Sequence, residues 1–261
     1  MRFKKQNTVI SIVENETLHF VEIGQRGKKK AVESVKLADL MVDDADTNII
    51  PFPAKTRANK LLIVPDYWFG NLVCKFQSMK KSLADAFVER KLHAQFEQLP
   101  DVKNFFESIA YQREKKERWL YAYFLQDPQF FQLYKSLSRL GLTPQRITSP
   151  ALIWQSKIRQ KMPDFDDSGK CFIELLDNIY HLYFFFEGNF LFSRSIPLAN
   201  LPADSPDNLQ AISYELNQSL YLFSQRAKTE VNNIYLLSSE TVTIGSLSEA
   251  LGREIKDLSS L

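Results

Sequence analysis

Three short β-rich runs joined by tight turns, followed by alternating helical and strand-like stretches, occur twice in this chain, and that duplication limits its folds more than any other feature. The first copy opens with Val9 to Val13 and Leu18 to Ile23 around Glu14, Asn15 and Glu16, the pattern of a tight hairpin, and AVESVKL extends it to a meander. The second opens with CFIELL, HLYFFFEG and NFLFSRSIPL, turning at Asp177-Asn178 and Gly188-Asn189. Between the copies, MPDFDDSGK combines Pro163, three Asp and Gly169 and reads as a linker near residue 165. The expectation is therefore an α/β protein of two lobes, residues 1–165 and 166–261.

Within the first copy, residues 38–59 are polar, with Asp43, Asp44, Asp46, Pro51 and Pro53, and read as loop; KLLIVPDYWF then has the form of a buried strand. From Phe76 to Ile109 the apolar residues Leu83, Phe87, Leu92 and Phe96 recur at near-helical spacing, so residues 72–118 are expected to form a helical insertion on the first lobe. WLYAYFL reads as a strand. DPQFFQLYKSLSRLGL reads as a helix capped by Asp127, with Pro128 at its first position and Gly141 closing it. In the second copy a long helix over Asp207 to Lys228 carries Leu209, Ile212, Leu216, Leu220 and Phe223 on one face, and NIYLLS and the run Ser246 to Leu251 follow.

Composition narrows the functions. The 33 Lys and Arg nearly cancel 31 Asp and Glu, leaving a formal charge of +2, so no global field draws in nucleic acid. No apolar run reaches the length of a membrane span, and MRFKKQNTV lacks the apolar core of a signal peptide, so a cytoplasmic chain is expected. Cys74 and Cys171 sit in apolar surroundings and read as buried reduced thiols. Glycine is scarce, at 8 of 261 residues, and no Gly-Gly or Gly-x-Gly occurs. Phosphate-gripping loops use clustered glycines because a residue without Cβ lets successive N–H groups close on the anion.

The segments WLYAYFLQDPQFFQLYKSLSRLGLTPQRITSPALIW, CFIELLDNIYHLYFFFEGNFLFSRSIPL and NLQAISYELNQSLYLFSQRAKTEVNNIYLLS resemble the PilM and GspL families, actin-like cytoplasmic proteins of type IV pilus and type II secretion inner-membrane platforms. The resemblance implies the duplicated, ribonuclease H-like plan of the actin superfamily, and a scaffold, peripheral to the inner membrane, that binds a membrane partner's short cytoplasmic segment or is fused to one, and/or binds the motor ATPase. It also implies that LSSL ends short of the last strand and helix of a full second lobe. In ATP-binding members both hairpins carry Asp-x-Gly-type turns, and a Gly-Gly follows the late strand. Here the corresponding residues are Ser11 to Asn15, Glu174 to Asn178, and Ser238-Ser239-Glu240. With no glycine at the three places, no nucleotide and no other cofactor is expected. An active ATPase or sugar kinase with divergent loops is the alternative.

Other candidate sites are weaker. Glu14 and Glu174 could serve as the carboxylates of a two-metal nuclease, although each reads more simply as a turn or strand-end residue. His19, His93 and His181 have no partners at ligand spacing, so no metal or catalytic residue is expected. Lys28 to Lys30 and Arg113 to Arg118 read as solvated charge, the lysines with the capacity to touch anionic lipid. Tyr67, Trp68 and Phe69 fall where the first lobe meets its insertion, and they are either packing or the anchors of a partner-binding groove.

Overall fold

The computed structural model describes residues 7–24, 28–41, 58–78, 80–96, 105–112, 118–176, 178–199, 202, 205–238 and 244–258. The loop aspartates Asp43, Asp44 and Asp46 with Pro51 and Pro53, the charged run 113–117, and Ser239-Glu240 lie outside them. Two units result, Met1–Pro150 and Ala151–Leu261.

In the first unit β1 (Thr8–Glu14), β2 (Thr17–Ile23) and β3 (Lys29–Lys36) form the expected antiparallel meander. Beyond the one-turn helix α1 (Leu37–Leu40), β4 (Asn59–Ile63) pairs parallel with β1. After the insertion, α3 (Pro128–Arg139) leads to β8 (Arg146–Thr148), parallel with β4, which completes the order β3-β2-β1-β4-β8. The alternation in TVISIVE sends Val9 and Val13 into a core with Leu18, Phe20, Leu62, Leu133 and Leu137. Asp127 caps α3 by accepting from the Gln129 N–H at 2.9 Å, as its position before Pro128 predicts.

The insertion is not helical throughout. β5 (Phe69–Lys75), β6 (Phe106–Gln112) and β7 (Arg118–Leu125) build a three-stranded antiparallel sheet in the order β5-β7-β6, and the one helix, α2 (Lys81–Gln95), covers one face of it. The stripe α2 buries is Ala84, Val88 and Leu92, which turns Leu83 and Phe87 outward instead of into the core. Two i, i+4 stripes coexist in this helix, and the one containing Ala84 allows a closer approach to the sheet. In β6, Phe106 and Ser108 face α2 while Glu107 and Ile109 face the other way, a period of two inside a segment read as helix.

The second unit begins with α4 (Pro150–Lys161). It opens before the linker near residue 165 because Ala151 and Ile158 pack with Met162, Phe165, Phe172 and Phe185 of the second core. β9 (Gly169–Leu176), β10 (Ile179–Phe186) and β11 (Asn189–Pro197) repeat the meander; the second turn uses Glu187 and Gly188, with Asn189 already in β11. The helix α5 (Pro206–Ala227), capped by Ser205, crosses to β12 (Val231–Ser238), parallel with β9. Then α6 (Ile244–Leu251) and β13 (Ile255–Asp257) supply the fifth strand that was expected to be missing. The order β11-β10-β9-β12-β13 is that of the first sheet.

Lys170 is almost wholly buried at the start of β9. Its ammonium donates to the carbonyls of Asp164 and Asp167, which closes the turn between α4 and β9, and burial pulls its pKa below the usual lysine value. The neighbouring Gly169 has no room for a side chain: a Cβ would lie 2.5 Å from Phe223 and 2.8 Å from the Glu230 backbone oxygen. Gly169→Ala should therefore destabilise the second unit by about 1–3 kcal/mol, the usual range for overpacking, read as a lower denaturant midpoint with unchanged slope.

Candidate functional site

The turns at the tips of β1–β2 and β9–β10 are where a nucleotide's phosphates would be held if the implied activity were present. In the first, Asn15 and Glu16 both adopt positive φ, 44° and 62°, and the Glu14–Thr17 pair closes a two-residue turn. In the second, Leu176 pairs with Ile179 and Asn178 has φ 62°. Each turn is tied down from behind. Leu37 N–H donates to Glu16 O at 2.8 Å, and Leu198 N–H donates to Asn178 O at 3.0 Å, the same bond in both copies.

The copies correspond in further detail. His19 on β2 pairs with Ser34 on β3, Nδ1 to Oγ 2.7 Å; His181 on β10 pairs with Ser195 on β11 at 3.0 Å. Across the first strand, however, His19 faces Ile12 while His181 faces Glu174. The carboxylates proposed for a nuclease thus do not occupy equivalent places. Glu14 sits at the strand end opposite Thr17, and its match in the second copy is Leu176. Glu174 is buried, and one of its oxygens accepts from Trp154 Nε1 at 3.1 Å and from Tyr183 O–H at 2.8 Å. These neutral donors fix α4 to the sheet. Among the described residues no group of three or more His, Cys, Asp or Glu is placed to hold a metal ion. Cys171 is fully buried and its thiol is pushed well above the ordinary range, and burial also raises that of the half-buried Cys74.

The seam residues separate. A 3-10 turn, Asp66–Trp68, delivers the chain from β4 to β5 and sends Tyr67 out to solvent and Trp68 into the core, with Phe69 opening β5. Trp68 is fully buried among Leu62, Val64, Leu125 and Phe130, with its ring edge-on to Phe130 at 6.4 Å, so it is a core residue and not an anchor on a free surface. Tyr67 is 70% exposed. Phe69 is half-buried and opens a row that the sequence reading did not single out. On the face of the insertion sheet turned away from α2, β7 carries the half-buried Trp119 and Tyr123 with the fully buried Tyr121 between them, beside Phe69, Val73 and Lys75 of β5. Phe69 meets Tyr123 at 6.1 Å, Tyr123 meets Tyr121 at 6.0 Å, and the Lys75 ammonium lies 5.8 Å from the Trp119 ring. The Tyr123 hydroxyl donates to Glu107. The signal was present in WLYAYFL, whose alternate residues are aromatic.

Comparison with solved structures bears on the fold. The chain aligns over 97% of its length with 88% of a chain of the "PilM-PilN type IV pilus biogenesis complex", at 14% identity and a TM-score of 0.56. With the duplicated sheet order, this decides the architecture. The fold is actin-like. Two further structures align at lower scores: the cytoplasmic domain of EpsL, an inner membrane component of the type II secretion system of Vibrio cholerae (5% identity, 89% of this chain, 82% of that one, TM-score 0.47), and a protein of Bacteroides thetaiotaomicron with an actin-like ATPase fold and unknown function (12%, 98%, 92%, 0.45). No protein-family model matches the chain. No curated protein matches it either.

The buried and exposed members of the seam predict opposite outcomes. Trp68→Ala should lower unfolding stability by about 3–5 kcal/mol, as expected for emptying a buried indole site. Tyr67→Ala should stay within about 0.5 kcal/mol of the parent. Equilibrium denaturation of the two variants side by side checks both.

Proposed function

We propose that this actin-like chain is a non-catalytic scaffold of a type IV pilus or type II secretion assembly platform, held at the cytoplasmic face of the inner membrane by an extended segment of a membrane partner. The observation that carries the reading is the build of the two hairpin turns. A phosphate cradle needs consecutive N–H groups free to converge on an anion, with no Cβ in the way. Here the turns carry Asn15, Glu16 and Asn178 in left-handed backbone, each with a Cβ where a cradle would have glycine. Glu16 also adds a negative charge where a triphosphate would lie.

With that function gone, the partner surface is assigned to the insertion. Among the described residues β5 is an edge strand that begins two residues after the exposed Tyr67, and the half-buried Tyr123 and Trp119 lie on one of its faces, either side of the buried Tyr121. An extended peptide adding to such an edge gains backbone hydrogen bonds and sets alternate side chains against the aromatics. The similar PilM chain was solved in a complex named for PilN, which is the basis for choosing a platform protein as the partner. The scaffold's second contact is with the motor ATPase. Among the described residues no helix is long and apolar enough to cross a membrane.

Two measurements test the reading. Titration calorimetry with Mg–ATP at millimolar concentration should give no binding heat; a micromolar dissociation constant would revive the ATPase alternative. Tyr67→Ala combined with Tyr123→Ala should weaken binding of a synthetic peptide, copied from the cytoplasmic segment of the platform protein encoded alongside, by about thirtyfold, the loss typical of interface anchors. Unchanged affinity in a folded double variant would place the groove elsewhere.

A further inference from the structure

The solvent face of α5 has a symmetry that its packing does not require. The helix buries Asn208, Ile212, Leu216, Ser219, Phe223 and Ala227 against the second sheet. On the opposite side, the exposed positions 210, 214, 217, 218, 221 and 225 read Gln, Tyr, Asn, Gln, Tyr, Gln. At 3.6 residues per turn these six fall on one stripe about 100° wide. Their order and spacing are the same from either end: amide, four residues, tyrosine, three residues, amide, and then the reverse. One step further out, Asp207 at the start of the stripe is matched by Lys228 at its end, both exposed.

We propose that this face is a self-association surface, on which two copies of the chain pack α5 against α5 antiparallel about a twofold axis between Asn217 and Gln218. A twofold contact uses the same patch on both partners, so the patch must be complementary to its own reverse. In that register Tyr214 meets Tyr221 of the second copy, the amides of Asn217 and Gln218 meet at the axis, and Gln210 meets Gln225. Asp207 meets Lys228 at both ends, which makes the contact attractive at its rim.

The charge pattern selects a second copy over a different partner. From Gln210 to Gln225 the exposed side chains include no Asp, Glu, Lys, Arg or His, and the half-buried Glu215 is paired with Arg194 at 2.9 Å, so a charged partner finds little to read along the stripe. Tyr214 and Tyr221 are 63% and 66% exposed, the large amphipathic side chains that interface centres favour. A groove of about 670 Å³ between α5 and α6 lies beside Tyr214, with the small side chains of Ser213, Ser246 and Ala250 and the Glu249 carboxylate in its lining. It offers the opposing Tyr221 a hollow with a hydrogen-bond acceptor for its hydroxyl.

Sedimentation equilibrium of the 261-residue chain should show a monomer–dimer equilibrium. Tyr214→Lys with Tyr221→Lys opposes two lysines at each contact, and it should raise the dissociation constant at least about tenfold while leaving the thermal melt in place, because both positions are exposed. Asp207→Lys should weaken the dimer, and Asp207→Lys with Lys228→Asp should restore it. Register is tested by cysteines: Tyr214→Cys and Tyr221→Cys proteins should form a disulfide-linked dimer when mixed and neither alone, with the parent's Cys74 and Cys171 as background. A parent that stays monomeric at every concentration overturns the proposal and leaves the face to another protein. A dimer indifferent to the paired lysines overturns it too, as does cross-linking equal in mixed and unmixed samples.

Discussion

Two backbone hydrogen bonds, Leu37 N–H to Glu16 O and Leu198 N–H to Asn178 O, set the limits within which the rest of this molecule works. Each joins the residue after the third strand of a meander to the far residue of its first turn. That fixes the register of all three strands, and the parallel fourth strand then aligns on the first. The same bond commits the turn. A left-handed Glu16 at φ 62° carries roughly 1 kcal/mol or more of backbone strain that glycine would avoid, and it persists because the hairpin and the bond behind it hold the conformation. A turn built this way closes a sheet. To cradle an anion it would need to lose its Cβ atoms.

The insertion depends on a second constraint, the close approach of α2. Ala84, Val88 and Leu92 bring the helix onto one face of the β5-β7-β6 sheet through Leu120, Ala122 and Phe124. Period-two alternation then forces Trp119, Tyr121 and Tyr123 to the other face. Lys75 and Glu107 bracket this row, one over the Trp119 ring and one accepting from Tyr123, so these two half-buried aromatics are held in place on either side of the buried Tyr121. In the proposed peptide site, aromatics fixed in this way would lose little further freedom on binding.

The duplication was legible in the sequence because its elements are local: hairpin spacing, turn residues and strand alternation survive even where identity to known structures is low. The cap at Asp127 and the long stripe of α5 were legible for the same reason. What failed depended on partners distant in sequence. Phe106 to Gln112 reads as helix until β7 is known to lie beside it, and Leu83 and Phe87 read as core until Ala84 is seen to set the helix–sheet distance. Trp68 looked like one of three adjacent aromatics, but a single 3-10 turn buries it and exposes Tyr67, and no composition rule separates such neighbours. The edge between the units fell at Pro150 because α4 packs on the second core, which the linker residues around 165 do not reveal.

The two copies also differ in a way that shows which features the fold demands. The step from third to fourth strand in the second unit is made by α5, and folding requires only that one stripe of that helix be apolar. Its outer positions are free to carry charge, as α2 carries Lys81 and Arg90 on its own outer side. A solvated helix gains a few tenths of a kcal/mol from each well-spaced ion pair, and solubility benefits as well. That α5 instead keeps tyrosines and amides through four turns, with opposite charges at its two ends, forgoes that gain without improving the core. Nothing in the packing of Ile212, Leu216 or Phe223 selects those outer residues, which leaves them free for the self-association proposed for this face.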